Sequence, residues 1–476
     1  MSHLITRRTL LRRSAVLAGL AAGAQLARGP IILAAGSPNA KLGCVLVGCG
    51  GQGSGAHLPA CARERLVAMV DADEARWGKA LESLAAKHKD IQVADCKKFS
   101  DYRKMFDACA KDIDVVFVAT PNHHHALPAM IAMQLGKAVY VEKPMCHTIQ
   151  EARAMAAASL KYKVPTQMGN QGHCGEGYRR LCEYIWAGAI GKVTEVHCWS
   201  DRANGGAGPR PPTLPIPAGM HWDEWIGPSP YRDYHKDLHP HEWHGWYDFG
   251  NGSIGNMACH VIDGAVWALK LKWPTAIEAE YVLGGSNERY PVGTRLRYDF
   301  PARGNMPPVK FYWWDGKRPG AKGNAKGDSG DNVATGAQNR PPLVDELEKK
   351  YDRKLGGNGT LYIGDKGIMY TGTYGEGTRI IPEEKHKAFP PPAPTIPRVK
   401  GGPHGDLFDA VRKGQPTTCS NFEVASVLTE VVLLGNLAQK AGIGKKVLWD
   451  GPNMKCTNMP ELNKLVQREN RKGWTA

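Results

Sequence analysis

Lys143 ends the run Ala138-Val139-Tyr140-Val141-Glu142-Lys143-Pro144, an apolar strand that closes on an acid, a cation and a proline. A cation held at a strand end can hydrogen-bond a hydroxyl and stabilise a developing alkoxide. Alone it would read as a surface lysine at a turn, but a second motif changes its setting. Gly48-Cys49-Gly50-Gly51-Gln52-Gly53 follows another apolar strand and opens a helix, and Asp71 lies 23 residues beyond Gly48. Glycines there permit a tight bend and close backbone approach to a pyrophosphate, whose charge a helix N-terminus favours. A lone glycine fingerprint is weak, whereas strand, turn, helix and distal acid together specify a dinucleotide site. Asp71 would take the ribose hydroxyls and repel a 2′-phosphate, which favours NAD, while Arg76 leaves NADP open.

Two further segments could line such a site. Thr120-Pro121-Asn122-His123-His124-His125 follows a third core strand, where a loop would face the nicotinamide end of a cofactor. Three histidines in a row invite a metal. Adjacent side chains on an extended loop diverge, so contacts of Thr120, Asn122 and His125 with cofactor and substrate are the better reading, and no metal is expected. His235, His239, His241 and His244 cluster with Trp243 and Trp246. Aromatic faces stack on sugar C–H surfaces and histidines bond hydroxyls, so this segment reads as a sugar-binding wall, with Trp199, Asp201 and Arg202 adding to it. Burial of the tryptophans in a core is an equal alternative.

The elements that must position these residues alternate. Strands are predicted at 42–47, 66–70, 113–120, 139–141 and 166–168, with helices at 56–65, 73–87, 101–110, 126–135 and 151–161. This pattern calls for a parallel sheet covered on both faces, with ligands at the C-terminal strand ends. Gly48, Asp71, Thr120, Glu142 and Gln167 all sit there. Beyond about residue 170 the strands at 193–199, 275–283, 294–299, 309–314, 360–364 and 367–371 suggest a second, mostly antiparallel sheet. Residues 315–343 read as a mobile loop, and helices are expected at 404–413 and 422–441.

As a set, Gly48–Gly53, Thr120-Pro121-Asn122 with His125, and Glu142-Lys143-Pro144 resemble the motifs of the Gfo/Idh/MocA oxidoreductases. Gln167-Met168-Gly169-Asn170-Gln171-Gly172-His173 and the stretch Trp246–His260 resemble later segments of exported members, so the likeness covers nearly everything after residue 40. It implies an α/β Rossmann domain plus an α+β domain with a large, mostly antiparallel sheet. It also implies NAD or NADP as cofactor, with Cys49, Glu142 and Asn170 among its contacts and Gln171 and His173 facing substrate. Family members pair the lysine with an Asp and a His four residues apart on one helix, a spacing that puts both on one face. His260 fits the histidine, as acceptor of the hydroxyl proton, but the partner position is Asn256. Asn256 could orient His260 by accepting a ring N–H but could not stabilise an imidazolium by charge, and Asp263, one turn on, is a candidate to assist.

The implied activity is oxidation or reduction of a secondary alcohol on a sugar, glycoside or polyol. One rival is a glycosidase or lyase that oxidises C3 transiently, eliminates and takes the hydride back; another is a non-catalytic carbohydrate-binding protein.

The whole chain sets the remaining bounds. At 476 residues and 42% apolar it suits two folded domains. Thr6-Arg7-Arg8-Thr9-Leu10-Leu11 is a twin-arginine pattern, followed by a stretch of small apolar residues too short for the roughly 20 residues a bilayer needs. It predicts export to the periplasm, where no free nicotinamide pool exists, and hence a tightly held cofactor. The expected division is a signal segment at 1–35, a Rossmann domain at 41–165, a substrate and oligomerisation domain at 166–445 and a C-terminal tail at 446–476. The net charge of +15 is scattered without the patch of interleaved aromatics that nucleic acid requires, so no nucleic-acid partner is expected. The 12 cysteines contain no C-x-x-C pair; most should be small buried residues, with one or two disulfides possible. A homodimer or homotetramer is expected.

Overall fold

The computed structural model describes residues 41–93, 96–318, 336–417 and 419–476. The twin-arginine segment and the middle of the expected mobile loop lie outside these residues.

The first layer is a parallel sheet of β1 (Gly43–Val47), β2 (Arg65–Val70), β3 (Lys97–Phe99), β4 (Val115–Val118), β5 (Ala138–Val141) and β6 (Thr166–Met168). Its strand order is β3-β2-β1-β4-β5-β6 and every pair is parallel. β1, β4 and β5 are buried along their whole length, as apolar runs covered on both faces must be. β3 was not foreseen. Lys97 and Lys98 are exposed, and an edge strand needs only one buried side. The sheet includes β6, so this domain runs past the expected end at residue 165.

Helix ends follow their local chemistry. The helix Ile149–Tyr162 starts in a capping box, in which the Thr148 hydroxyl accepts the Glu151 N–H and the Glu151 carboxylate accepts the Thr148 N–H. Asn421 caps the helix Phe422–Ala441 by accepting the Val424 N–H. That 20-residue helix is long and apolar enough to cross a bilayer by composition, yet it is mostly buried between the domains, packed on Ile149–Tyr162 and the second sheet.

The second sheet has nine strands: β7 (Val193–Ser200), β8 (Ala276–Leu283), β9 (Gly293–Phe300), β10 (Val309–Gly316), β11 (Gly359–Gly364), β12 (Gly367–Thr371), β13 (Arg379–Ile381), β14 (Lys446–Asp450) and β15 (Lys455–Cys456). Its order is β13-β12-β11-β7-β10-β9-β8-β14-β15, antiparallel except for β7 beside β10. The expected C-terminal tail is therefore corrected: β14 extends this sheet, with Val447 and Trp449 turned inward. Residues 201–245, between β7 and the helix Gly252–Val261, form an insertion whose Trp222, Trp225 and Leu238 pack with Trp246 and Phe249, just beyond it, into a separate core. Arg179, nearly fully buried, donates to the carbonyls of His173 and Pro397, and a disulfide joins Cys174 to Cys419 across 245 residues. Of the ten cysteines outside this bond, nine are buried and Cys96 is half-buried.

Candidate active site

A cleft of about 540 Å³ opens at the C-terminal ends of β1, β2, β4 and β5. Its floor is the glycine turn. Gly48 has φ +94°, and a Cβ there would lie 2.5 Å from the Ala119 carbonyl oxygen; a Cβ on Gly53 would lie 1.9 Å from the Gly48 oxygen. Neither position accommodates a side chain, while Gly51 faces open space. Gly48, Gly50, Gly51, Gln52, Asp71, Arg76, Thr120, Asn122, His125, Glu142 and Lys143 line the cleft.

Asp71 ends β2 and accepts the backbone N–H groups of Cys49 (2.7 Å) and Asp73 (2.9 Å). Burial raises its carboxyl above the usual range against the pull of those bonds. Arg76 lies over Gly50 and is paired at 3.4 Å with Asp73. The buried Thr120 hydroxyl has no hydrogen-bond partner among the described residues, so a donor or acceptor is available to a ligand beside Lys143. Glycines that exclude side chains, a strand-end acid and an orphaned hydroxyl in one cleft fit a dinucleotide.

At the far end the second domain reaches in. Lys143 Nζ donates to both the backbone oxygen and the Oδ1 of Asn256, each at 2.9 Å. Asn256 Nδ2 donates in turn to Asn204 Oδ1 at 2.9 Å. Burial lowers the Lys143 ammonium below its ordinary range, and Glu142 opposes this. Burial would raise Glu142, but the His57 hydrogen bond and charge, with Lys143 adding, hold it at about 2. His260 sits one turn after Asn256 in the helix Gly252–Val261. Burial, then the Lys143 charge, pushes its imidazole down to about 3, so it is neutral at pH 7.

Several expectations need correction. Asn256 does not orient His260: its Oδ1 is engaged by Lys143, and the buried His260 Nδ1 has no hydrogen-bond partner among the described residues. Asp263 does not support His260 either. It accepts from His173 Nδ1 at 2.8 Å and Asn170 Nδ2 at 3.1 Å, and all three are buried behind the cleft. His173 stacks on Trp267, so neither it nor Asn170 is presented to a ligand. Gln171, exposed, lies outside the cleft lining. Cys49 points away, its thiol bonded to the Val70 carbonyl, and Gly53 serves helix packing.

The proposed sugar wall divides. His241 and Trp243 line the cleft together with His239 and His244. Trp246 is fully buried, donating to the Asp237 carbonyl, and Trp199 is fully buried against the Gly356 carbonyl. Both are core residues. Arg202 is exposed beside Asp201 and lies outside the lining, although its charge reaches Lys143.

The histidine run also serves structure. His125 bridges the Pro144 and Thr120 carbonyls at 2.8 Å each, and His123 and His124 contact the Trp225 carbonyl at 2.9 and 3.0 Å. The insertion is thereby clamped over the cleft. Gly219 accepts from Glu74, His221 donates to the Ala72 carbonyl, and His239 pairs with Asp73 at 2.9 Å. Sequence reasoning missed this cover, together with Trp225, Tyr102 and His57. Each belongs to a segment unremarkable in pattern whose partner is distant in the chain.

Comparison with known proteins agrees with this geometry. Residues 42–170 match the GFO/IDH/MocA description "Oxidoreductase family, NAD-binding Rossmann fold", and residues 197–281 match "Oxidoreductase family, C-terminal alpha/beta domain". A 1-carboxy-3-chloro-3,4-dihydroxycyclohexa-1,5-diene dehydrogenase of Comamonas testosteroni is 33% identical over 137 residues, 28% of this chain and 31% of that one. A levoglucosan dehydrogenase of Pseudarthrobacter phenanthrenivorans is 29% identical over 170 residues, 35% of each chain. The chain thus spans about a third of the length of these curated relatives. The crystal structure of an aldose-aldose oxidoreductase from Caulobacter crescentus shares the fold, with TM-score 0.52 and 17% identity over 86% of this chain and all of that one. Residues 42–170, the six-stranded parallel sheet and its helices, thus match the NAD-binding Rossmann domain of that family.

Proposed function

We propose that the chain as a whole, built on this NAD-binding domain, is a GFO/IDH/MocA oxidoreductase acting on a secondary alcohol of a sugar, glycoside or polyol. The observation that carries the reading is Lys143, held at the end of β5 by Asn256 of the other domain, inside the dinucleotide cleft. NAD, or NADP if Arg76 turns outward, supplies hydride acceptance when bound.

The protein supplies the proton chemistry. Lys143 spends two donor directions on Asn256 and keeps one for a substrate hydroxyl, whose developing negative charge it stabilises. His260, neutral, is the group proposed to take the hydroxyl proton. Trp243 and His241 offer a stacking face and a polar edge for a sugar ring.

The clamped insertion favours a second reading. A cofactor under such a cover exchanges slowly, which suits an enzyme that oxidises, eliminates and re-reduces one substrate without releasing reduced nucleotide. Export by the twin-arginine route fits both readings, and the Cys174–Cys419 disulfide is at home in an oxidising compartment. The charged strand face bearing Arg295, Arg297, Glu278 and Glu280 is available for a homodimer or homotetramer.

The test is to purify the full chain, identify bound nucleotide, and screen sugars, polyols and glycosides for reduced-cofactor absorbance and for bond cleavage. Retained NAD, net NADH with some alcohol and loss of turnover in Lys143→Ala support the dehydrogenase. Aglycone release without net NADH supports the second reading. Failure to bind either NAD or NADP rejects both.

A further inference from the structure

From Glu142 at the cleft wall, three side chains from three parts of the chain form one line, buried at Glu142 and His57 and half-buried at His404. His57 Nε2 lies 2.9 Å from Glu142 Oε1, and His57 Nδ1 lies 2.8 Å from His404 Nε2. His57 ends a π-helical turn, Gly53–His57, that opens the helix after the glycine turn. His404 comes from the helix Gly402–Lys413, in the chain's last quarter, and stacks at 5.0 Å on Tyr140 of β5. His57 and Glu142 are both buried.

We propose that His57, fixed by His404, is a positioning residue that keeps Glu142 a hydrogen-bonded carboxylate and through it keeps Lys143 charged inside the cleft. The inference rests on the functional reading above, in which the charged Lys143 acts on substrate.

The hydrogens decide the roles. An ionised carboxylate only accepts, so His57 Nε2 must carry the hydrogen toward Glu142. One hydrogen must then lie between His57 Nδ1 and His404 Nε2. If His404 donates it, His57 is locked in the tautomer that serves Glu142, the orienting logic seen around catalytic and metal-bound imidazoles. Glu142 would otherwise be a buried acid driven toward its neutral form.

The surroundings of Lys143 leave Glu142 to do this. The helix Gly252–Val261 presents Asn256, Cys259 and His260, of which Asn256 is uncharged, the Cys259 thiol is pushed up to about 12 by burial, and His260 is neutral. The loop after β4 contributes His125 and the insertion contributes His244, both pushed down by burial. Arg202, beyond β7, opposes the ammonium. Glu142 itself faces His57, Lys143 and His260, with Tyr374 and His404 farther off. Glu142, whose Oε2 accepts Lys143's own backbone N–H at 3.3 Å, is the neighbouring carboxylate whose charge opposes the effect of burial on the amine.

The experiment reads Lys143 directly, by competitive labelling with acetic anhydride across pH and mass spectrometry of the peptide that carries it. In His57→Phe the Lys143 profile is expected to move about one unit to lower pH, making the amine about tenfold more reactive at pH 8. His57→Gln, which keeps a donor toward Glu142, should recover at least half of that shift. NAD affinity measured on the same samples should stay within about twofold, which a collapsed site would not allow. An unchanged profile in folded His57→Phe overturns the proposal; should that variant not fold, an unchanged profile in His404→Phe does so. Labelling requires no substrate, so failure to find an oxidisable alcohol would reject the functional reading and leave this result to stand by itself.

Discussion

Asn256 caps Lys143 twice, through its backbone oxygen and its side-chain oxygen, each 2.9 Å from Nζ. The cation at the end of the first domain's sheet is thus aimed by a helix of the second, and the partner is a neutral amide. Asn256→Ala should lower kcat by about 10- to 100-fold with NAD affinity nearly unchanged, since it removes positioning and not a cofactor contact. Asn256→Asp places an acid against the amine and should raise the pH at which Lys143 loses its proton by about one unit or more. Steady-state kinetics across pH, with nucleotide binding followed separately, checks both.

Trp243 and Trp246 stand three residues apart and should respond oppositely. Trp246 is fully buried, so Trp246→Ala should cost about 3–5 kcal/mol of stability. Trp243 lines the cleft with its ring 3.6 Å from that of His244. Trp243→Ala should raise KM roughly three- to tenfold, as loss of one stacking face would. Denaturant unfolding and sugar kinetics on the two variants separate the roles.

The buried histidines make the fold acid-sensitive. Burial pushes His124, His147 and His260 each down to about 3 from an ordinary value of 6.5. Between those values the folded protein keeps them neutral while the unfolded chain takes up protons, so stability is fully present above about pH 6.5 and declines as pH falls. Each such group contributes a slope of about 1.4 kcal/mol per pH unit. Glu142, held at about 2, adds its own loss below about pH 4.5. Tm measured from pH 7.5 down to pH 4.5 should therefore fall steadily from about pH 6.5, and a flat or rising Tm would contradict the burial of these imidazoles.

Thiol titration tests the Cys174–Cys419 bond. Ten of the 12 cysteines lie outside this bond, so denatured, unreduced protein should react at ten thiols and reduced protein at twelve. Because the bond closes a loop of 245 residues, Cys419→Ser should cost about 2–5 kcal/mol when measured under oxidising conditions.

What could be read in advance follows from how local its cause is. β1, β4 and β5 were legible because a strand buried on both faces must be a run of apolar residues, and the glycine turn because backbone crowding leaves no other residue type. β14 was not, since Val447-Leu448-Trp449 is a short apolar run without alternation, set before a polar terminus, until β8 supplies the partner. At the candidate site, Lys143 and its register with Asn256 were visible as motif positions, whereas the bond between them required both domains. His57 gave no signal: its partners lie 85 and 347 residues away. Trp199 and Trp246 were misread because a buried and a ligand-facing tryptophan have the same one-dimensional signature.

The insertion at 201–245 is hydrogen-bonded to the very loop, Ala72 to Glu74, that follows Asp71 at the cleft floor. If nucleotide enters the finished protein beneath this cover, its loading is expected to be paced by the opening of these bonds. The observed uptake rate should climb with nucleotide concentration and then level off at the opening rate, independent of how much more is added. Levelling of that kind would favour a chain that takes up its nucleotide while still folding over one that is loaded afterwards.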